Sequence, residues 1–218
     1  QTCFIAFYLF LFTPSQSRAS VGRVFCAFAM LGIASIYYVQ ILFFIPVIWV
    51  LMATNIMNGC ARVYVASLLG LLLPYWFATG YYAFTDQISL IGDHFTALLD
   101  FDSQSVWLDI PLVQIVTIVF IALLAVVGMI NFRLNNYRDK IRTRMLFDFF
   151  SVMIIFTMIF MILQPTNMHF LLAMLIVSAS PLIGHFISLT NSLITNLIFC
   201  FMLVATLALT VCNVWIQF

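Results

Sequence analysis

Residues 133–145, RLNNYRDKIRTRM, decide how this chain is read, because they hold Arg133, Arg138, Lys140, Arg142 and Arg144, five of its eight basic residues. Long apolar runs flank them on both sides. Across 218 residues only 7% are charged and 65% are hydrophobic, whereas a soluble domain carries about 25% charged residues. Glu is absent and Phe occurs 24 times. A chain of this length in water could not hide so much apolar surface, so its natural solvent is hydrocarbon. The expected fold is all-α, a polytopic transmembrane helical bundle forming a single transmembrane domain over 1–218.

Working outward from the basic segment, MLFDFFSVMIIFTMIFMIL (145–163) reads as one crossing. FLLAMLIVSASPLIGHFISL (170–189) and the run from Leu193 to Trp215 read as two more. Upstream, Pro111 opens a crossing to about Ile130, with proline at the one helical position where a missing N–H does no harm. VYVASLLGLLLPYWFATGYYAF (63–84) is another, and Pro74 is expected to kink it. Residues 21–54 are too long for one ordinary span. They read better as two short helices meeting near Tyr38, with Pro46 in the second; full crossing and re-entrant hairpin both remain open. The opening run TCFIAFYLFLF is shorter than the ~20 residues a crossing needs, and it reads as a truncated N-terminal helix. A signal peptide is the rival reading, but a basic leading segment and a convincing cleavage site are missing. The count is about seven full crossings plus that truncated helix.

Charge tests this count independently. If the first connector faces the cytoplasm, Arg18, Arg23, Arg62 and the whole 131–145 connector fall on that side. Residues 85–110, which hold Asp86, Asp93, Asp100, Asp102 and Asp109 and no Lys or Arg, then fall outside. Lys and Arg in short loops resist translocation, so the basic segment anchors topology, and Arg138, Lys140, Arg142 and Arg144 would also meet anionic lipid headgroups. Asp139 sits inside this cluster. Asp148, four residues after Arg144, is expected to be compensated by that arginine and by a helix N-terminus.

Two places could carry chemistry. In the outer loop, Asp93, His94, Asp100 and Asp102 could act as acid/base groups or hold a divalent cation; the plainer reading is a solvated acidic loop containing a short surface helix. Inside the penultimate crossing, Pro181 frees backbone carbonyls, Ser178 and Ser180 can re-satisfy them, and Gly184 would let a helix approach. With Pro74, His185 and Asn196, Ser180 and Pro181 could form an intramembrane polar site of the kind transporters build; the plainer reading is a kinked, packed helix whose His185 pairs with Asn191 or Asn196. Ala66-x-x-x-Gly70 and Ser180-x-x-x-Gly184 are small-residue pairs able to seat a neighbouring helix.

Other signals are negative. No apolar run carries an Asp, Glu, Lys or Arg near its middle, which disfavours a coupled pump. A net charge of +1 gives no footprint for nucleic acid. The five cysteines show no ligand spacing, and no nucleotide-binding, zinc-protease or nucleophile-elbow motif is present, so neither a metal nor a cofactor is expected.

The strings FTPSQSRASVGRVFCAF, YRDKIRTRMLFDFF and SPLIGHF resemble a family of uncharacterised polytopic membrane proteins from Bacteroidetes, whose members extend further at the N-terminus. The resemblance spans most of the chain and implies a bacterial inner membrane, with no substrate or catalytic residue to carry over. The expectation is therefore a scaffold or partner subunit in an envelope process, binding membrane lipids and other membrane subunits. An enzyme acting on a lipid-linked, glycosyltransferase-type substrate and a small-molecule or lipid transporter are the alternatives.

Overall fold

The computed structural model describes residues 1–13, 20–55, 60–99, 111–135, 137, 139–189 and 193–216. Among them every element is helical, and the chain divides into two compact units, 1–101 and 102–218.

The first unit holds α1 (Thr2–Phe12), α2 (Ser20–Tyr37), a 3-10 turn (Val39–Phe43), α3 (Phe44–Thr54), α4 (Ala61–Phe84) and α5 (Ser89–Thr96). The expected break near Tyr38 is present: α2 stops at Tyr37, and Tyr38 takes an extended conformation before the chain turns. Pro46 falls in the first turn of α3, where no helical N–H is lost.

Helices α2 and α4 form the most extensive pair of this unit, and two glycines permit it. A Cβ on Gly70 would press into the backbone carbonyl of Phe25, and one on Gly32 would lie 2.7 Å from the Leu71 carbonyl oxygen and 3.0 Å from Pro74 Cγ. The seat read at Ala66-x-x-x-Gly70 is thus occupied by α2, and Pro74 is buried at the same contact. Phe7, Phe28 and Phe44 are fully buried around it, with the Phe7 and Phe28 rings edge to face at 6.0 Å.

The second unit holds α6 (Leu112–Asn135), α7 (Ile141–Leu163), a 3-10 turn (Pro165–Asn167), α8 (Met168–Leu189) and α9 (Leu193–Ile216). Its core collects Ala125 from α6, Phe149, Met153 and Ile154 from α7, and Leu171, Leu175 and Leu182 from α8. Here the helices outrun the apolar segments that announce them. Arg133 lies in the last turn of α6, where a cation meets the negative end of the helix dipole. The first turn of α7 carries Arg142 and Arg144, whose long stems allow their charged heads to reach water from a helix end.

Four helical stretches are long and apolar enough to cross a membrane: Ala61–Phe84, Leu112–Leu134, Ile141–Leu163 and Pro165–Ser188. Shorter apolar helices cover Thr2–Phe12, Val21–Tyr37, Val39–Thr54 and Asn196–Cys212. Large apolar side chains are exposed along them. On α4 alone these include Val65, Leu69, Leu72, Trp76 and Phe77. In water such a continuous apolar surface would be costly at about 25 cal/mol per Å².

Candidate functional site

In the first unit the acidic segment turns back on the helices that precede it. Asp86 adopts a left-handed conformation, φ 55°, which Asp tolerates better than most residues, and the turn it makes leads from α4 toward α5. Two side chains then fix α5 in place. Gln40 Nε2 donates to the Ala97 carbonyl at 3.0 Å, and His94 Nε2 lies 3.1 Å from the Ser35 carbonyl oxygen. A carbonyl only accepts, so the Nε2 of His94 carries the proton.

Ser35 is a hub. Its hydroxyl donates to the Gly32 carbonyl at 2.8 Å and accepts from the Tyr75 hydroxyl at 2.8 Å. The Tyr75 ring lies 6.1 Å from His94 and 5.4 Å from Phe95. Under α5 these groups border a cavity of about 300 Å³ lined by Ile36, Tyr75, Thr79, Tyr82, Leu90 and His94. Of the residues picked from sequence, His94 faces this cavity and Asp93 is exposed beside it. Asp100 and Asp102 lie outside the described residues, as does Arg138. Tyr75 and Ser35 were missed. In sequence Tyr75 stands with Trp76, Tyr81 and Tyr82 in an aromatic stretch that reads as an interfacial belt.

In the second unit polar groups gather where α6 ends, α7 begins and α8 ends. His185 Nε2 lies 3.1 Å from Asp139 Oδ2, with both side chains largely buried. The imidazole packs on Phe147 at 4.5 Å and Phe132 at 6.2 Å. This replaces the partner expected from sequence: His185 meets Asp139 rather than Asn196, which is exposed, while Asn191 lies outside the described residues. Asp148 also differs from expectation. It stands two turns into α7, beyond the reach of the helix terminus, and Arg133 of α6 approaches its Oδ1 at 3.8 Å. Four buried polar atoms at this end make no hydrogen bond among the described residues: Asp139 Oδ2, Arg144 Nε, Asp148 Oδ1 and His185 Nδ1. Lys140 and Arg142 are exposed beside them.

Helix α8 runs unbroken through Pro181, and α4 through Pro74. Ser180 is exposed. With Ala179, Ile183, Gly184 and Ile187 it forms one wall of an open groove of about 560 Å³, whose other walls come from α6 and α9. No atom stands within 4 Å of where a Gly184 Cβ would be. The glycine that does admit a helix is Gly128 of α6, whose Cβ would sit 3.3 Å from Leu182. Among the described residues no three His, Cys, Asp or Glu side chains form a group able to hold a metal ion.

Neither a known protein family, nor a curated protein, nor a solved structure matches the chain.

Proposed function

We propose that the chain is a multi-pass helical protein of a bacterial inner membrane that serves as a scaffold or partner subunit in a cell-envelope process. The observation that carries this reading is the partition of side chains. Large apolar groups cover the outside of the long helices, while Arg133, Asp139, Lys140, Arg142, Arg144, Asp148 and His185 gather where α6 ends, α7 begins and α8 ends. Spanning helices with no charged machinery at mid-depth suit binding within the bilayer better than coupled transport. In the proposed orientation residues 131–145 are cytoplasmic and 85–110 external, with about seven crossings. Affinity purification in mild detergent followed by mass spectrometry tests the role. A stoichiometric membrane partner is expected, and a chain that purifies alone, accumulates normally and leaves the envelope intact when deleted would remove it.

A second reading, an enzyme on a lipid-linked substrate, draws on the pocket under α5, where His94, Tyr75 and Thr79 line one half-open space. Its test is His94→Ala. Loss of an envelope glycan with normal protein levels would favour the enzyme over the scaffold. The transporter reading has less behind it, since Pro74 is buried against Gly32 and the helices that carry Pro74 and Pro181 continue without a break.

A further inference from the structure

We propose that the half-open pocket under α5 binds an organic ammonium group, held by aromatic faces and hydroxyl oxygens beside a segment whose charges are all negative. Binding of this kind requires no reaction, so it goes beyond both the scaffold and the enzyme readings.

Three helices build the walls. Tyr75, Thr79 and Tyr82 follow the four- and seven-residue spacing that puts side chains on one face of α4, Leu90 and His94 come from α5, and Ile36 comes from α2. Two of these walls are fixed before a ligand arrives, because the Tyr75 hydroxyl donates to Ser35 Oγ at 2.8 Å and His94 Nε2 meets the Ser35 carbonyl at 3.1 Å. A site held in this way loses less freedom on binding. Its volume of about 300 Å³ is at the lower end of the range of about 300–1,000 Å³ for small-molecule sites, which suits a headgroup-sized ion.

The lining contains no Lys, Arg, Asp or Glu, and its polar atoms are rich in acceptors. The Tyr75 hydroxyl has given its proton to Ser35 and keeps a lone pair, and the neutral His94 ring with its proton on Nε2 has an acceptor at Nδ1. The hydroxyls of Thr79 and Tyr82 make no hydrogen bond among the described residues. Tyrosine rings add the negative face of their π-systems, to which alkylammonium groups are drawn.

Charge sets the sign of the occupant. Between Arg62 and Arg133 the sequence has no Lys or Arg, whereas Asp86, Asp93, Asp100, Asp102 and Asp109 all fall there. Asp93 is exposed next to His94. The described arginines of this unit are remote: Arg62 and Arg23 stand near the starts of α4 and α2, roughly 25 Å from Thr79 and 20 Å from Ile36 along helices that rise about 1.5 Å per residue. An anion would meet repulsion and no partner, whereas a cation is drawn to a cleft whose surroundings carry a single negative sign. A neutral apolar guest would use Ile36 and Leu90 but leave the acceptors unpaired.

The test is isothermal calorimetry on the full chain purified in a non-ionic detergent, titrated with choline and with neohexyl alcohol, the uncharged carbon isostere of choline. Choline should bind at least about tenfold more tightly than the isostere. Thr79→Trp, which fills the pocket from α4, and Leu90→Trp, which fills it from α5, should each weaken choline at least about tenfold with unchanged thermal unfolding, since both positions are exposed. Should one variant fail to fold, the other carries the test. Asp93→Asn should weaken choline a few-fold at low salt and less at high salt. Competition by lysophosphatidylcholine would assign the ammonium group to lipid headgroups, and its failure to compete would assign it to free solutes; either result keeps the site. No binding of choline, equal affinity for the isostere, displacement of choline by inorganic phosphate, or unaltered binding in a folded tryptophan variant would each overturn the proposal.

Discussion

The two units use the small-residue pairs read from their sequences differently. In the first, Gly32 and Gly70 let α2 and α4 touch backbone to backbone, and any side chain there would meet a carbonyl. In the second, Gly184 faces open space, while Gly128 brings α6 close against α8, where an added Cβ would sit a tight 3.3 Å from Leu182. The same sequence signal, a small residue spaced along an apolar helix, therefore marks a closed joint in one place and an open surface in the other. Small residues permit close approach without requiring it, and what decides is whether the partner helix is supplied by the same unit.

The strongest way to break this comparison is Gly70→Val. A branched side chain must displace the Phe25 carbonyl, and overpacking of this kind costs up to about 3 kcal/mol; unfolding in detergent micelles should show a loss of that size, or the protein should not accumulate. A stability equal to wild type would mean that the α2–α4 joint is looser than described. Next in size is Asp139→Ala, which strips His185 of its charged neighbour in a mostly buried setting. About 1–2 kcal/mol is expected, and a double-mutant cycle with His185→Ala should recover most of it as a coupling term. Purely additive losses would show that the two groups do not interact.

A smaller effect sharpens the contrast inside the first unit. Tyr75→Phe removes the bond to Ser35, and interhelical hydrogen bonds in membrane proteins average about 0.6 kcal/mol, so a shift of that order in a denaturation midpoint is expected. A loss several times larger would mean that Ser35 depends on Tyr75 to hold α5 as well. The smallest is Arg133→Ala. Its contact with Asp148 is 3.8 Å long, with side chains 59% and 38% exposed, and such exposed pairs contribute about 0–1 kcal/mol. A thermal shift indistinguishable from wild type is the expected result.

Much of the helix layout was legible in the residues. The break at Tyr38 and the long helices ending at Phe84, Leu163 and Leu189 follow from hydropathy and from the polar residues that interrupt it. Helix ends at the basic connector were placed too conservatively, because arginines were read as loop although their stems suit a helix end. The sites were far less legible. His94 was singled out for its neighbours in sequence, yet its surroundings are Ser35 and Tyr75, residues brought together by the packing of α2, α4 and α5. His185 and Asp139 lie 46 positions apart, and the pattern of either segment alone holds no trace of the other. Asp148 was assigned to the nearer arginine by helical spacing, whereas the guanidinium that reaches it comes from the preceding helix. Periodicity reports which face of a helix is apolar, but not which helix will lie against it.

The fastening of α5 carries a consequence for how the first unit can change over time. Gln40 reaches the main-chain oxygen of Ala97, a group that every amino acid provides, so position 97 is free to drift in chemical character while position 40 is not. A set of homologous sequences should therefore show an amide or another donor held steadily at 40 facing an interchangeable residue at 97, and the surface helix would stay latched while its own sequence wanders.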